Sequence, residues 1–207
     1  MKKLLFELKT PFLITIVFIV ICGLFYPLLM TGLGQAIFPS QSNGSLIKVD
    51  GKVVGSSLIG QKFTDVRFMK ARPSAVNYNT YTIADKANGI YTSVATGSAN
   101  LSPSNPALKV RVESDLKTFL KANPTVSPKA IPDDLLTASG SGLDPQISPT
   151  SAEIQVPALS EATGLSKADL NKMIQKNTQQ KLFGFIGENT VNVLGVNIDI
   201  AKALGLN

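Results

Sequence analysis

From Thr10 to Ile47 the chain contains no Asp, Glu, Lys or Arg, and residues 11–30, PFLITIVFIVICGLFYPLLM, are almost wholly apolar. A helix of about 20 residues rises roughly 30 Å, the thickness of a bilayer's hydrocarbon core. The stretch therefore predicts a membrane-spanning helix, placed at residues 11–33. It leaves residues 1–10 on one side and residues 34–207 as a single folded body on the other.

The flanks argue that the span is kept. Lys2, Lys3 and Lys9 precede it as they would a secretory signal, but the apolar run exceeds the ~7–15 residues of such a signal and no small-x-small cleavage site follows. Cys22 is preceded by Val20 and Ile21 rather than by the small residues of a lipid-attachment site, so it reads as an ordinary thiol within an uncleaved anchor. After the span the next basic residue is Lys48, which by the positive-inside rule puts the N-terminus in the cytoplasm and the body outside. Tyr26 and Phe38 fall where interfacial aromatics sit, and Pro27 is near enough to the helix end to be tolerated. Thr15, Ile19 and Cys22 share one face, two of them small, and form a candidate contact for a partner helix; no GxxxG pair is present.

Composition removes several function classes. The chain has no histidine and one cysteine, which excludes a Ser-His-Asp triad, a Cys-His dyad and the usual zinc sites. With its single cysteine inside the anchor the body has no disulfide, and packing must stabilise it. A net charge of +6 is spread out, without the basic, aromatic-interleaved runs of a nucleic-acid binder, so no nucleic acid is expected as a partner.

The body reads as α+β. Gly32, Gly34, Pro39 and Gly44 mark an irregular exit from the membrane, followed by a hairpin over residues 46–54 turning at Asp50-Gly51, a type I′ pair. Residues 66–69 suggest a strand, and residues 72–106, rich in Ser, Asn, Thr, Ala and Gly, a long loop region. Asn105-Pro106 opens a helix with Leu108, Val112, Leu116, Phe119 and Leu120 on its core face, ended by Asn123-Pro124. Ser148-Pro149 starts a short helix through Gln155, and Ser166 with Asp169 caps another running to about Thr178. Val191, Val193, Val196, Ile198 and Ile200 alternate as a bulged C-terminal strand.

Candidate chemistry is sparse. Ser114-x-x-Lys117 and Ser45-x-x-Lys48 match the Ser/Lys pattern of some membrane-anchored hydrolases, but such matches arise by chance in a chain rich in both residues, and Ser114 and Lys117 lie on the polar side of their helix. Gly140 and Gly142 lack the lysine of a phosphate loop and read as a tight turn. Asp133, Asp134 and Asp144 suit either a cation held by loop oxygens or turns and a helix cap. The loop Ser139, Gly140, Ser141, Gly142, Leu143, Asp144, Pro145 combines two glycines with one apolar side chain, and is the candidate subunit-contact loop.

Several segments are more specific together: NGSLI from Asn43, GSSLIGQ from Gly55, RFMKARPSA from Arg67, NLSPSNPAL from Asn100, TASGSGLDPQISPTSAEIQVP from Thr137 and GENTVNVLGVN from Gly187. In that order they resemble the KdpC family, the small subunits of the Kdp potassium-transporting P-type ATPases. The resemblance implies a single-pass protein of a prokaryotic plasma (inner) membrane. Its implied partners are a channel-like potassium-translocating subunit, a P-type ATPase subunit carrying the phosphorylated aspartate, a very small membrane peptide and membrane lipid. It implies no catalytic residue and no cofactor on this chain. ATP enters through the ATPase subunit, whose affinity for it the small subunit is described as raising as a catalytic chaperone. With the body outside the membrane, that effect has to be indirect. Gln146 stands where the family pattern has histidine, and Ala158 and Thr163 where basic residues are usual. The competing readings are a membrane-anchored Ser/Lys hydrolase and a stand-alone extracytoplasmic binding module.

Overall fold

A helix that is apolar on every side has no solvent face, and the N-terminal stretch folds as one. In the computed structural model it runs as α1 (Lys2–Val20), a π-helical turn (Ile21–Phe25) and α2 (Tyr26–Ile37). The π turn has a local cause. Pro27 has no N–H to give one turn back, and just before it the ladder widens, the Tyr26 N–H reaching the Ile21 carbonyl. Glu7–Ile37 is the one helix among the described residues long and apolar enough to cross a membrane. Its 31 residues rise about 46 Å, more than the hydrocarbon core, which leaves length for tilt or for protruding ends. Gly32 and Gly34, expected in an irregular exit, are inside α2, and a short α3 (Pro39–Ser42) follows.

The structure describes residues 2–90 and 93–206, with side chains from Glu7 onward. The Lys2 and Lys3 side chains, which carry most of the orientation argument, lie outside the described residues, as do Tyr91 and Thr92 of the long loop and Asn207.

Beyond Leu46 the chain forms a second compact unit. It begins with β1 (Leu46–Val49) and β2 (Lys52–Ser56), joined through Asp50 at φ 50° and Gly51 at φ 78°, the left-handed pair that an Asp-Gly turn predicts. A three-stranded antiparallel sheet of β3 (Gln146–Ile147), β4 (Thr178–Gln179) and β5 (Thr190–Asn192) has β5 at its centre, with Val191 opposite both Ile147 and Thr178. Around it lie α6 (Pro149–Glu153), α7 (Val156–Thr163), α8 (Lys167–Lys176) and α9 (Val193–Ala203). Met69, Ile147, Leu170, Val191, Val196 and Ile200 are the fully buried centre of the core. Within the long loop region a short α4 (Ile83–Ala87) forms, and after it a smaller cluster joins Phe119 of α5 (Pro106–Ala122) to Ile131 and Leu135. The class is mixed helix and sheet, as expected.

Three of the expected caps form. Asn105 accepts from the Ala107 N–H, Ser148 from the Ser151 N–H and Ser166 from the Asp169 N–H, opening α5, α6 and α8. One expected strand does not form, and the C-terminal one forms only as far as Asn192. Over residues 66–69 the chain turns, with Asp65 accepting from the Arg67 N–H at 2.9 Å; the Arg67 guanidinium holds the Asp65 carboxyl down at about 2. Side-chain amides then stand in for a neighbouring strand. Asn197 accepts from the Met69 N–H at 2.7 Å and donates to its carbonyl at 3.0 Å, and Gln155 does the same for Lys70 at 2.8 and 3.1 Å. The apolar pattern is that of a strand, and the pairing partner is not backbone.

The C-terminal alternation also misleads. β5 ends at Asn192, whose side chain accepts from the Gly195 N–H at 2.9 Å and starts α9. Val193, Val196, Asn197 and Ile200 are buried at helical spacing, while Ile198, which a strand would place with them, is only half-buried. Between α6 and α8 the sequence reading assigned nothing, yet α7 forms there with Pro157 in its first turn and Gly164 closing it at φ 75°.

Candidate functional site

The loop of residues 139–145 is tied to three segments that are remote in sequence. The Gly60 N–H donates to the Leu143 carbonyl at 2.7 Å, the Ser74 hydroxyl to the Gly142 carbonyl at 2.6 Å, and the Gly97 N–H to the Ser141 carbonyl at 2.6 Å. The Thr96 hydroxyl shares that last acceptor. Inside the loop, Ser141 Oγ accepts from the Leu143 N–H at 3.0 Å and Asp144 Oδ1 from the Gln146 N–H at 2.9 Å. Its end is fixed to the core by the Val193 N–H, which donates to the Pro145 carbonyl at 3.0 Å.

Its two glycines are not equivalent. Gly142 is buried at φ 67°, and a Cβ there would stand 2.5 Å from the Gly97 carbonyl oxygen and 3.0 Å from Val76 Cγ2. Gly140 is exposed, and a Cβ there meets nothing. Leu143 is half-buried rather than presented at an apex, so the exposed part of the loop is Gly140 and Ser141.

Against this loop lies a strained turn. Asn77, Tyr78 and Asn79 have φ values of 49°, 52° and 53°, three consecutive left-handed residues. Asn tolerates that region; a tyrosine there costs about 1–2 kcal/mol. The surroundings hold it. Ser74 Oγ accepts from the Tyr78 N–H at 2.9 Å, the Tyr78 hydroxyl donates to the Arg72 carbonyl at 2.6 Å, and the Asn79 amide pairs both ways with Ala95 at 2.9 and 3.0 Å. Lys62 donates to Asn77 Oδ1 at 2.6 Å. Arg72 pairs with Asp144 at 3.3 Å, and Gly60 has no room for a Cβ between Tyr78 and the Asp144 carbonyl.

Burial first, and then the Asp144 charge, push the Tyr78 phenol up to about 12, with Arg72 opposing. A phenol that stays neutral in the folded state while the unfolded chain ionises near 10 leaves stability intact below pH 10. That contribution is lost as pH rises from 10 through about 12. We expect a phenolate absorbance titration to place one tyrosine near 12, and Tyr78→Phe to remove it. A Tyr78→Phe variant that keeps the late-titrating phenol would contradict the assignment.

The predicted acids do not converge. Asp134 accepts from the Ser148 N–H at 2.7 Å and from the Ser148 and Ser151 hydroxyls at the start of α6, whereas Asp144 faces Arg72. Among the described residues no three Asp, Glu or Cys side chains are grouped to hold a metal. Ser114 and Lys117 are exposed on α5, and no hydrogen bond joins their side chains. Gln146, in the position expected for histidine, donates to Gln179 Oε1 at 3.3 Å, bridging the two outer strands of the sheet. Ala158 and Thr163 lie half-buried on α7. On the membrane helix Thr15, Ile19 and Cys22 are exposed, the Thr15 hydroxyl donating to the Pro11 carbonyl at 2.9 Å.

Sequence reasoning missed Gly60, Ser74, Tyr78, Asn79, Gln155 and Asn197. The Asn-Tyr-Asn triplet was the one readable signal, since asparagine is the commonest non-glycine residue of left-handed turns.

Residues 8–202 match the family model described as KdpC: K+-transporting ATPase, c chain. Over 199 residues the chain is 60% identical to the potassium-transporting ATPase KdpC subunit of Clostridium kluyveri, covering 96% of this chain and 95% of that one. It is 55% identical over 204 residues to that of Clostridioides difficile (96% and 98% covered) and 42% identical over 198 residues to that of Caldanaerobacter subterraneus subsp. tengcongensis (96% of each). The matched span takes in nearly all of the membrane helix, the β1–β2 hairpin, the loop of residues 139–145 and the amides of Gln155 and Asn197, and the chain belongs to the KdpC family.

Proposed function

We propose that this chain is the small, non-catalytic subunit of an ATP-driven potassium uptake pump, and that it works by holding the other subunits rather than by chemistry. Family membership across residues 8–202 carries the reading. One spanning helix cannot enclose an ion filter, and the titratable groups near the loop are committed to structural bonds. Transport and phosphorylation therefore belong to partner chains: a channel-like potassium-translocating subunit, a P-type ATPase subunit that binds ATP, and a small membrane peptide.

Two surfaces are proposed for those contacts. In the membrane it is the face of Thr15, Ile19 and Cys22; in the body it is the loop of residues 139–145, whose rigidity comes from its bonds to Gly60, Ser74 and Gly97. Residues 1–10 lie in the cytoplasm, 11–33 span the inner membrane and 34–207 lie outside, by the distribution of lysines around the span. A body on that side never meets cytoplasmic nucleotide, so it raises ATP affinity only by favouring a conformation of the pump that binds ATP more tightly.

One thiol tests the arrangement. Ser102 is exposed, and Ser102→Cys in a Cys22→Ser background should be labelled in intact cells by a reagent that does not cross the inner membrane, with a thiol of known outer location as control. Labelling only after cell breakage would put the body in the cytoplasm and make direct contact with nucleotide the mechanism. Membranes holding the whole transporter should also release the other subunits together with this chain, and their absence from the purified material would sink the subunit reading.

A further inference from the structure

The boldest apolar feature of the folded body is a hairpin tip. Residues 182–186, LFGFI, place four large apolar side chains in five positions, with Leu182 59%, Phe183 79%, Phe185 75% and Ile186 50% exposed. The tip is ordered by its own bonds. Leu182 and Ile186 pair as a β-bridge, the Leu182 N–H donating to the Ile186 carbonyl at 2.9 Å and the Ile186 N–H to the Leu182 carbonyl at 3.0 Å. Below them the Lys181 N–H donates to Asn189 Oδ1 at 3.0 Å, and the Lys181 ammonium pairs with Glu188 at 3.2 Å. Phe183 holds φ 54° and Gly184 φ 81°. A phenylalanine in the left-handed region costs about 1–2 kcal/mol. Neither ring belongs to the core, so nothing within the tip's own packing offsets that strain.

At ~150–250 Å² per aromatic side chain, the two rings and their aliphatic neighbours expose on the order of 400 Å² of apolar surface. The largest apolar patch of a protein is commonly of that size and is often functional. We propose that the tip is a plug for an apolar cleft on the extramembrane surface of another subunit of the same membrane assembly, a proposal that rests on the subunit reading above.

Area and charge select this occupant. The patch is roughly half of what one side of a standard interface buries, too little to retain a freely diffusing partner. Between chains already confined to one bilayer it is sufficient, because the second contact forms at high effective concentration. Lipid fits less well: residues 182–187 carry no charge, Lys181 is neutralised by Glu188 instead of facing anionic headgroups, and neither Trp nor Tyr stands at the tip. A fluid bilayer also has no use for a backbone held in a fixed turn, whereas a cleft gains from one.

Photocrosslinking reads the occupant directly. With Phe185 replaced by p-benzoylphenylalanine in the full chain, expressed with the other transporter subunits, irradiation should give an adduct of this chain with one other subunit. The same probe at Val110, exposed on α5, should not. Phe183→Asn with Phe185→Ser removes both rings while keeping a residue that tolerates the left-handed backbone. Recovery of the other subunits with that variant should fall at least tenfold, while its thermal midpoint holds or rises because the strain at position 183 is relieved. Adducts to lipid alone, to a second copy of this chain or to nothing overturn the plug, as does undiminished recovery with the double variant. Should the unaltered chain recover no other subunit, the subunit reading fails and the plug with it. Normal recovery by the unaltered chain and its double variant alike defeats the plug alone.

Discussion

Gly142→Val is expected to cost about 3 kcal/mol or more and to lower the thermal midpoint by roughly 6–12 °C, while Gly140→Ala stays within about 0.5 kcal/mol of the parent. Two penalties combine at Gly142. Its φ of 67° is strained for any residue with a Cβ and worse for a β-branched one, and the added carbon would stand 2.5 Å from the Gly97 carbonyl oxygen. Relief requires the loop to move away from Gly97, which breaks the bond between the Gly97 N–H and the Ser141 carbonyl and loosens the one from Ser74. On the proposed role of the loop, recovery of the other pump subunits falls as well. Thermal melts of the full-length variants in detergent, alongside subunit recovery, measure both; equal tolerance of the two substitutions would remove the loop from the account.

Asn197→Ala is the second large effect, expected at about 3–5 kcal/mol. Asn197 and Met69 are both buried, and the asparagine amide satisfies the Met69 N–H and carbonyl together. Alanine leaves two buried backbone groups unpaired, each costing about 1–3 kcal/mol, and opens a void beside Val196 and Ile200. Asn197→Asp is no rescue: a carboxylate accepts from the N–H but has nothing to donate to the carbonyl, and it buries a charge. Gln155→Ala should cost less, because Lys70 is only half-buried and water reaches its backbone more readily. Urea denaturation gives the comparison, and a loss under about 1 kcal/mol for Asn197→Ala would mean that the clamp is dispensable.

Which parts of this architecture were legible follows from the range of the interactions. The membrane helix, the Asp-Gly hairpin and the caps at Asn105, Ser148 and Ser166 depend on a few adjacent residues, and the sequence states them directly. The loop of residues 139–145 was recognisable from its glycines and proline. What makes it rigid was not, since Gly60, Ser74 and Gly97 reach it across 44 residues or more of chain. Residues 66–69 and 193–200 failed for a related reason. Alternating apolar side chains report which groups are buried, and at Met69 the groups that pair with the backbone are amides from positions 155 and 197. In α9 the same residues satisfy two periods, and the cap at Asn192 decides in favour of the helix.

The π turn in the membrane helix changes which neighbours that helix can touch. Each extra residue in a turn advances the azimuth of everything after it by about 100°. The stripe begun by Thr15 and Ile19 on α1 therefore does not continue in line beyond Ile21–Phe25, and the side chains of α2 face another quarter. A neighbouring helix lying straight against Thr15 and Ile19 loses register above the turn. The vacated side of α2 is open to a different helix, so one span can sit as a wedge between two others.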